Sequence, residues 1–96
     1  MIPVVFAPRA ALDIEEIFDY TADRWSVDQA ELYVLQIKKA VETLATDPLR
    51  GRPCDDVRPG HRRYPVGTHT IFYRLIGSSL TIVRVLHQQM DIDQHL

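Results

Sequence analysis

What this 96-residue chain lacks is informative, beginning with cysteine: Cys54 stands alone, and a single thiol cannot close an internal disulfide. Beside Pro53 and Asp55-Asp56 it has no neighbouring base to activate it, so it reads as a bystander thiol. Long apolar runs are missing as well. No stretch approaches the roughly 20 apolar residues of a membrane span, and Met1 to Pro8 is a short apolar run closed by proline that does not resemble a signal peptide. The expectation is a soluble, intracellular protein. Internal repeats and low-complexity tracts are absent, and the length leaves no room for a second domain beside one core built from 46% hydrophobic residues.

Lysine is absent after Lys39, and this is the more useful scarcity. The formal net charge is only -2, yet residues 1–49 hold nine Asp/Glu against four Lys/Arg, whereas residues 50–96 hold seven arginines against four acids. Every fixed positive charge in the second half is therefore a guanidinium, a planar fork suited to carboxylates or phosphates. That half is expected to receive an anionic partner, although for any single arginine solvation of an exposed sheet face is the better reading. A sequence pI near 6.0 is a poor electrostatic footprint for a protein that lives on nucleic acid, and direct sequence-specific binding to it is not expected.

Local patterning divides the chain into a helical and an extended part. Val4-Val5-Phe6 predicts a short strand, and Pro8 occupies a first-turn position where its missing N–H costs nothing. A helix is expected from Pro8 to about Arg24, with Ile14, Ile17, Phe18, Thr21 and Trp25 on its buried stripe and Asp13, Glu15, Glu16, Asp19 and Asp23 mostly on the other side. Trp25, at the end of that stripe, is expected to plug the junction between helices. Ser26 followed by Gln29 fits a capping box opening a second helix that runs to about Thr46. Ala30, Tyr33, Val34, Ile37, Val41, Leu44 and Ala45 form its apolar face, and Asp47-Pro48 ends it.

Residues 49–60, punctuated by Gly51, Pro53, Pro59 and Gly60, read as the one long loop. Beyond Gly60 the period becomes two. His61–Val66, Thr68–Ile76 and Leu80–Leu86 are predicted strands, joined at Gly67 and at Gly77-Ser78-Ser79 into an antiparallel meander. The fold class is α+β: strand, two-helix hairpin, then a three-stranded meander with a short C-terminal segment. Along the middle strand Thr70, Phe72, Arg74 and Ile76 share one face and His69, Ile71, Tyr73 and Leu75 the other. Both faces mix apolar and polar groups, and one hairpin covers only one of them, so the other is expected to bind something.

The residues also carry a family resemblance. Ala11-Leu12-Asp13-Ile14-Glu15-Glu16-Ile17 with Tyr20, Trp25-Ser26 with Gln29-Ala30 and Tyr33, Leu44-Ala45 with Pro48, and Gly51-Arg52 are part of it. Gly60-His61-Arg62-Arg63, His69-Thr70-Ile71-Phe72-Tyr73-Arg74 and Arg84-Val85-Leu86-His87 with Met90-Asp91 complete it. In this order they resemble the ParE-type toxins of the RelE/ParE superfamily over nearly the whole length. No single tetrapeptide is diagnostic; the set is. The resemblance implies a toxin that blocks DNA gyrase through binding and is neutralised by a cognate antitoxin, as a hetero-oligomer, with no cofactor or metal. The antitoxin is expected to wrap the sheet and helices with an acidic, amphipathic C-terminal portion, its footprint a hydrophobic groove beside the arginines.

Candidate contact residues are Arg58, Arg62, Arg63, Arg74, Arg84, His87 and Met90. Arg74 and Arg84, on neighbouring strands, are read as a pair that holds an antitoxin carboxylate between them. Arg58, Arg62 and Arg63 are rim charges, assigned with the C-terminal segment to gyrase. A RelE-like nuclease is the alternative that the superfamily offers; it would need proton transfer from His87 or Tyr73 and a phosphate-holding Arg74 or Arg84. His87 at a strand end is more simply a hydrogen-bonded structural group. The spacing of His87, Asp91 and His95 does not make a zinc site, because the chain is ending there. Gln88–Leu96, amphipathic at Met90, Ile92 and Leu96, either docks on the sheet or meets a target.

Overall fold

A helical hairpin lies on one face of a five-stranded sheet in the computed structural model, which describes residues 1–90 and 95–96. Asp91 and Ile92 of the C-terminal reading fall outside the described residues. Strand β1 (Val4–Phe6) leads into helix α1 (Pro8–Arg24), with proline in its first turn as expected. Helix α2 (Val27–Thr46) opens on Ser26, whose Oγ accepts the Gln29 N–H at 3.0 Å, satisfying one of the donors that every helix start leaves orphaned. It ends at Thr46, with Asp47 as its cap immediately before Pro48.

The sheet contains a strand that the sequence did not reveal. Within the long loop Arg52–Pro53 (β2) pairs antiparallel with β3 (His61–Val66), which pairs with β4 (His69–Ile76), which pairs with β5 (Ser79–His87). β1 adds to β5 in parallel, so the spatial order is β1-β5-β4-β3-β2. Two residues with a proline carry no period-two signal, which is why β2 was legible only as loop.

One irregularity decides which side chains face the helices. Phe72 stands opposite Arg84 but Tyr73 opposite Ile82, so Val83 is an extra residue in β5. Before this bulge Leu80 and Ile82 join the helix-side core; after it Val85 does, and Leu86 goes to the far side. A one-residue offset exchanges the faces of everything that follows.

The helix-side core is continuous: Ala10, Ile17, Ile37, Val41, Leu44 and Ala45 meet Ile71, Tyr73, Leu80, Ile82 and Val85. A second, small cluster lies on the far face, where Phe72 and Leu86 are covered by Cys54 and by Leu96. Cys54 is thus a fully buried packing residue rather than a bystander, and burial raises its thiol pKa. Among the described residues no helix is long and apolar enough to cross a membrane.

Candidate functional site

A groove of about 670 Å³ opens between the hairpin and the end of the sheet where β4 begins and β5 finishes. α1 supplies Glu16, Ile17 and Tyr20, the interhelical turn Trp25, α2 Tyr33, and the sheet end His69, Val85, His87 and Met90. Trp25 does not plug the helix junction as its spacing suggested. It is 72% exposed, with Tyr20 at 64% and Met90 at 45%, and together they give the groove an apolar rim open to solvent. Burying this rim is worth roughly 25 cal/mol per Å² to whatever covers it.

Tyr33 organises the floor. Its hydroxyl lies 2.6 Å from Nδ1 of His69 and accepts the Thr68 N–H at 3.1 Å. The ring lies close over Gly67, where a Cβ would collide with it and where φ of +56° already favours glycine. His69 meets His87, its partner across the β4–β5 ladder, edge to face with ring centroids 5.3 Å apart. Burial first, and the neighbouring His87 second, push the His69 pKa down from 6.5 to about 4, against a smaller opposing pull from Asp13. The imidazole is therefore neutral near pH 7. Nδ1 of His87 accepts the Gln89 N–H at 3.2 Å, the structural role expected of a strand-end histidine.

Arg84 does not hold a partner's carboxylate beside Arg74. It is buried, and its Nε and Nη2 donate to the two oxygens of Asp13 at 2.7 and 2.9 Å. One of those oxygens also accepts the Val85 N–H at 3.0 Å, on the part of β5 that β1 leaves unpaired. Arg84 Nη1 donates to the His95 carbonyl at 2.6 Å. The hydrogen bonds that Arg84 donates to Asp13 are the chief reason the guanidinium pKa rises. Asp13 itself was assigned to the acidic, solvent side of α1, yet it is 5% exposed. Its spacing from Ala10 and Ile17, three and four residues, is the signal that could have placed it inside.

Tyr73 is equally committed. Fully buried, its hydroxyl donates to the Pro48 carbonyl at 2.7 Å and accepts the Gly51 N–H at 2.9 Å, tying the loop after α2 to the sheet. Burial raises its pKa. Arg62, read as a rim charge, reaches the same loop: its Nη1 donates to the Gly51 carbonyl at 2.7 Å and the Leu49 carbonyl at 3.3 Å. Arg58 donates to the Leu96 carbonyl at 3.3 Å. Arg63 is half-buried and Arg74 exposed, opposite Phe72 and His61 respectively. None of these arginines lines the groove, so the apolar site and the cationic residues occupy different parts of the surface. Among the described residues there is no cluster of three or more metal-ligating side chains.

Comparison with known proteins agrees with this architecture. Residues 4–92 match the family described as the ParE toxin of the type II toxin-antitoxin system, parDE. Toxin ParE1 of Mycobacterium tuberculosis is 47% identical over 93 residues, covering 96% of this chain and 95% of the relative. Toxin ParE1 of Caulobacter vibrioides is 38% identical over 96 residues, covering 100% and 99%. In three dimensions a chromosomal ParDE toxin-antitoxin system from P. aeruginosa superposes with a TM-score of 0.80 at 23% identity, over 91% of this chain and 96% of that one. The toxin-antitoxin complex RelBE2 from Mycobacterium tuberculosis gives 0.65, also at 23%, over 91% and 98%; at such identities the likeness speaks for the fold. On the family match and these two curated relatives, the chain belongs to the ParE toxins of type II toxin-antitoxin systems, within the RelE/ParE superfamily.

Proposed function

We propose that this toxin acts on DNA gyrase by binding, without bond-breaking chemistry of its own, and that a cognate antitoxin neutralises it in the cytoplasm by occupying the groove. The observation that carries the first half is the dispersal of the groups a ribonuclease would use. The Tyr73 hydroxyl is engaged by Pro48 and Gly51, and Arg84 is chelated by Asp13. Arg74 stands five residues from His69 along β4, about 16 Å from the His69–His87 pair at the rise of an extended strand. A phosphate at Arg74 is out of reach of His87.

The groove supports the second half. Its rim is aromatic and carries Glu16 but no arginine, so it suits the apolar side of an amphipathic segment rather than its acidic side. Such a segment orders on binding, and the rim of Tyr20, Trp25 and Met90 has the composition of interface anchors. The gyrase contact is assigned to Arg58 and Leu96 at the edge of the far face, where Arg58 donates to the Leu96 carbonyl, with Arg62 now counted as a loop brace.

The purified protein is to be assayed for inhibition of DNA supercoiling by gyrase and, in parallel, for codon-dependent mRNA cuts in a translating extract. Inhibition without cuts is expected. Cuts that disappear when His87 is replaced, with supercoiling untouched, would replace this reading by the ribonuclease one.

A further inference from the structure

The far face of the sheet carries three guanidinium groups for which the described residues offer no ion-pair partner. Arg52 on β2 stands directly opposite Arg63 on β3, and Arg74 on β4 stands opposite His61, one ladder step along the same face. Directly paired strand residues have Cβ atoms about 4.5–5.5 Å apart, so Arg52 and Arg63 form a like-charge pair that destabilises the sheet unless an anion relieves it. Among the described residues Asp13–Arg84 is the one ion pair. The acids Glu15, Glu16, Asp19 and Asp23 belong to α1, on the other side of the sheet, whereas Asp55 and Asp56 follow Cys54 on the far side, near Arg63. Among the described residues the far side thus holds more arginines, Arg52, Arg63 and Arg74, than acids, Asp55 and Asp56, in a chain whose net charge is negative.

We propose that this Arg52–Arg63–Arg74 patch is a contact for the sugar-phosphate backbone of nucleic acid, without sequence preference. Three features favour phosphates over an acidic protein. The cations are all guanidinium, whose fork pairs with phosphate oxygens bidentately. Thr70 and Thr81, on the same face beside Phe72 and Arg74, add hydroxyls of the kind that accompany phosphate contacts. A protein interface needs an apolar centre, and among the described residues this patch lacks one: Phe72 beneath it is buried, and the face's exposed large apolar side chains, Val5 and Ile76, lie on β1 and at the β4–β5 turn. Nor does the patch offer an exposed aromatic platform for unstacked bases. Backbone contact is what remains. The inference goes beyond the gyrase reading and stands without it.

The test is fluorescence anisotropy of the full chain with a labelled mixed-sequence DNA duplex, a second duplex of unrelated sequence, and labelled polyglutamate, as salt is raised from about 50 to 200 mM. The expected result is similar affinity for both duplexes, falling with salt at a log–log slope of about -3 for three neutralised phosphates. Arg52→Gln with Arg74→Gln, both exposed positions, is expected to weaken binding at least about tenfold and bring the slope to about -1. Adding Arg63→Gln should abolish it; should this half-buried change unfold the chain, the double variant decides alone. Absence of duplex binding at low salt, binding indifferent to the double variant, or polyglutamate bound as tightly as DNA would each overturn the proposal. A supercoiling assay on the same double variant reports separately on the gyrase reading.

Discussion

The two faces of this sheet are built from similar residues and end in different states. On the helix side Ile71, Tyr73, Leu80, Ile82 and Val85 are sealed by two amphipathic helices into one continuous core. On the far side, among the described residues, Phe72 and Leu86 are sealed only by one loop residue, Cys54, and by Leu96. The arginines divide along similar lines: Arg84 and Arg62 turn to internal acceptors, while Arg52 and Arg74 stay exposed. A small domain has apolar area for one thick layer, and what is left of the sheet must be covered thinly or used as surface. Arginines look alike in sequence, and only the neighbours that the fold brings decide which are structure.

The largest test of this division is the Asp13–Arg84 pair. Asp13→Ala leaves a buried guanidinium and the Val85 N–H without their acceptor, and should cost about 3–5 kcal/mol in urea unfolding. Arg74→Ala on the open face should stay within about 0.5 kcal/mol. Replacing both partners with apolar residues, Asp13→Leu with Arg84→Met, should restore most of the loss. An Asp13→Ala cost below about 1 kcal/mol would show that the pair is not a structural bridge.

A second test probes the groove against the core beneath it. Trp25→Ala should leave the unfolding midpoint nearly unchanged, because the side chain is 72% exposed, yet weaken antitoxin binding by about 2 kcal/mol, near thirtyfold. Isothermal titration with the cognate antitoxin reads this directly. Equal losses of stability and affinity would return Trp25 to the core.

The smallest effect concerns pH. His69 binds its proton near pH 6.5 when unfolded and only near about 4 when folded, so between these values the unfolded chain holds more protons. Stability then rises with pH through this window: the His69 contribution is complete above about 6.5 and falls away as pH drops toward 4. His69→Gln keeps an acceptor for the Tyr33 hydroxyl and cannot titrate. Denaturation midpoints measured at both ends of the window should show a shallower pH dependence in the variant than in the parent. Parallel profiles would mean that the imidazole is solvated in the native state.

Much of the architecture was legible. Pro8, the Ser26–Gln29 cap and Pro48 marked the helix ends because helix termini have chemical requirements that few residues meet. Gly67 and Gly77, both at positive φ, marked the hairpin turns. The site was less legible. Tyr33 read as one more apolar position in α2, and nothing local announced that its hydroxyl would meet His69 thirty-six residues away. Tyr73 read as an acid or base; its position beneath Pro48 and Gly51 makes it a tether.

By itself, then, the order of residues determined the α+β class, the hairpin, the meander and the opposite charge of the two halves, because period, capping and turn chemistry act over a few residues. The tertiary structure alone decided that Val83 would bulge and send Leu86 to the far face, that Asp13 would claim Arg84, and that Trp25 would stand open over a groove. Those outcomes depend on packing between segments distant in the chain, where burial sets the cost of an unpaired charge and local preference has no influence.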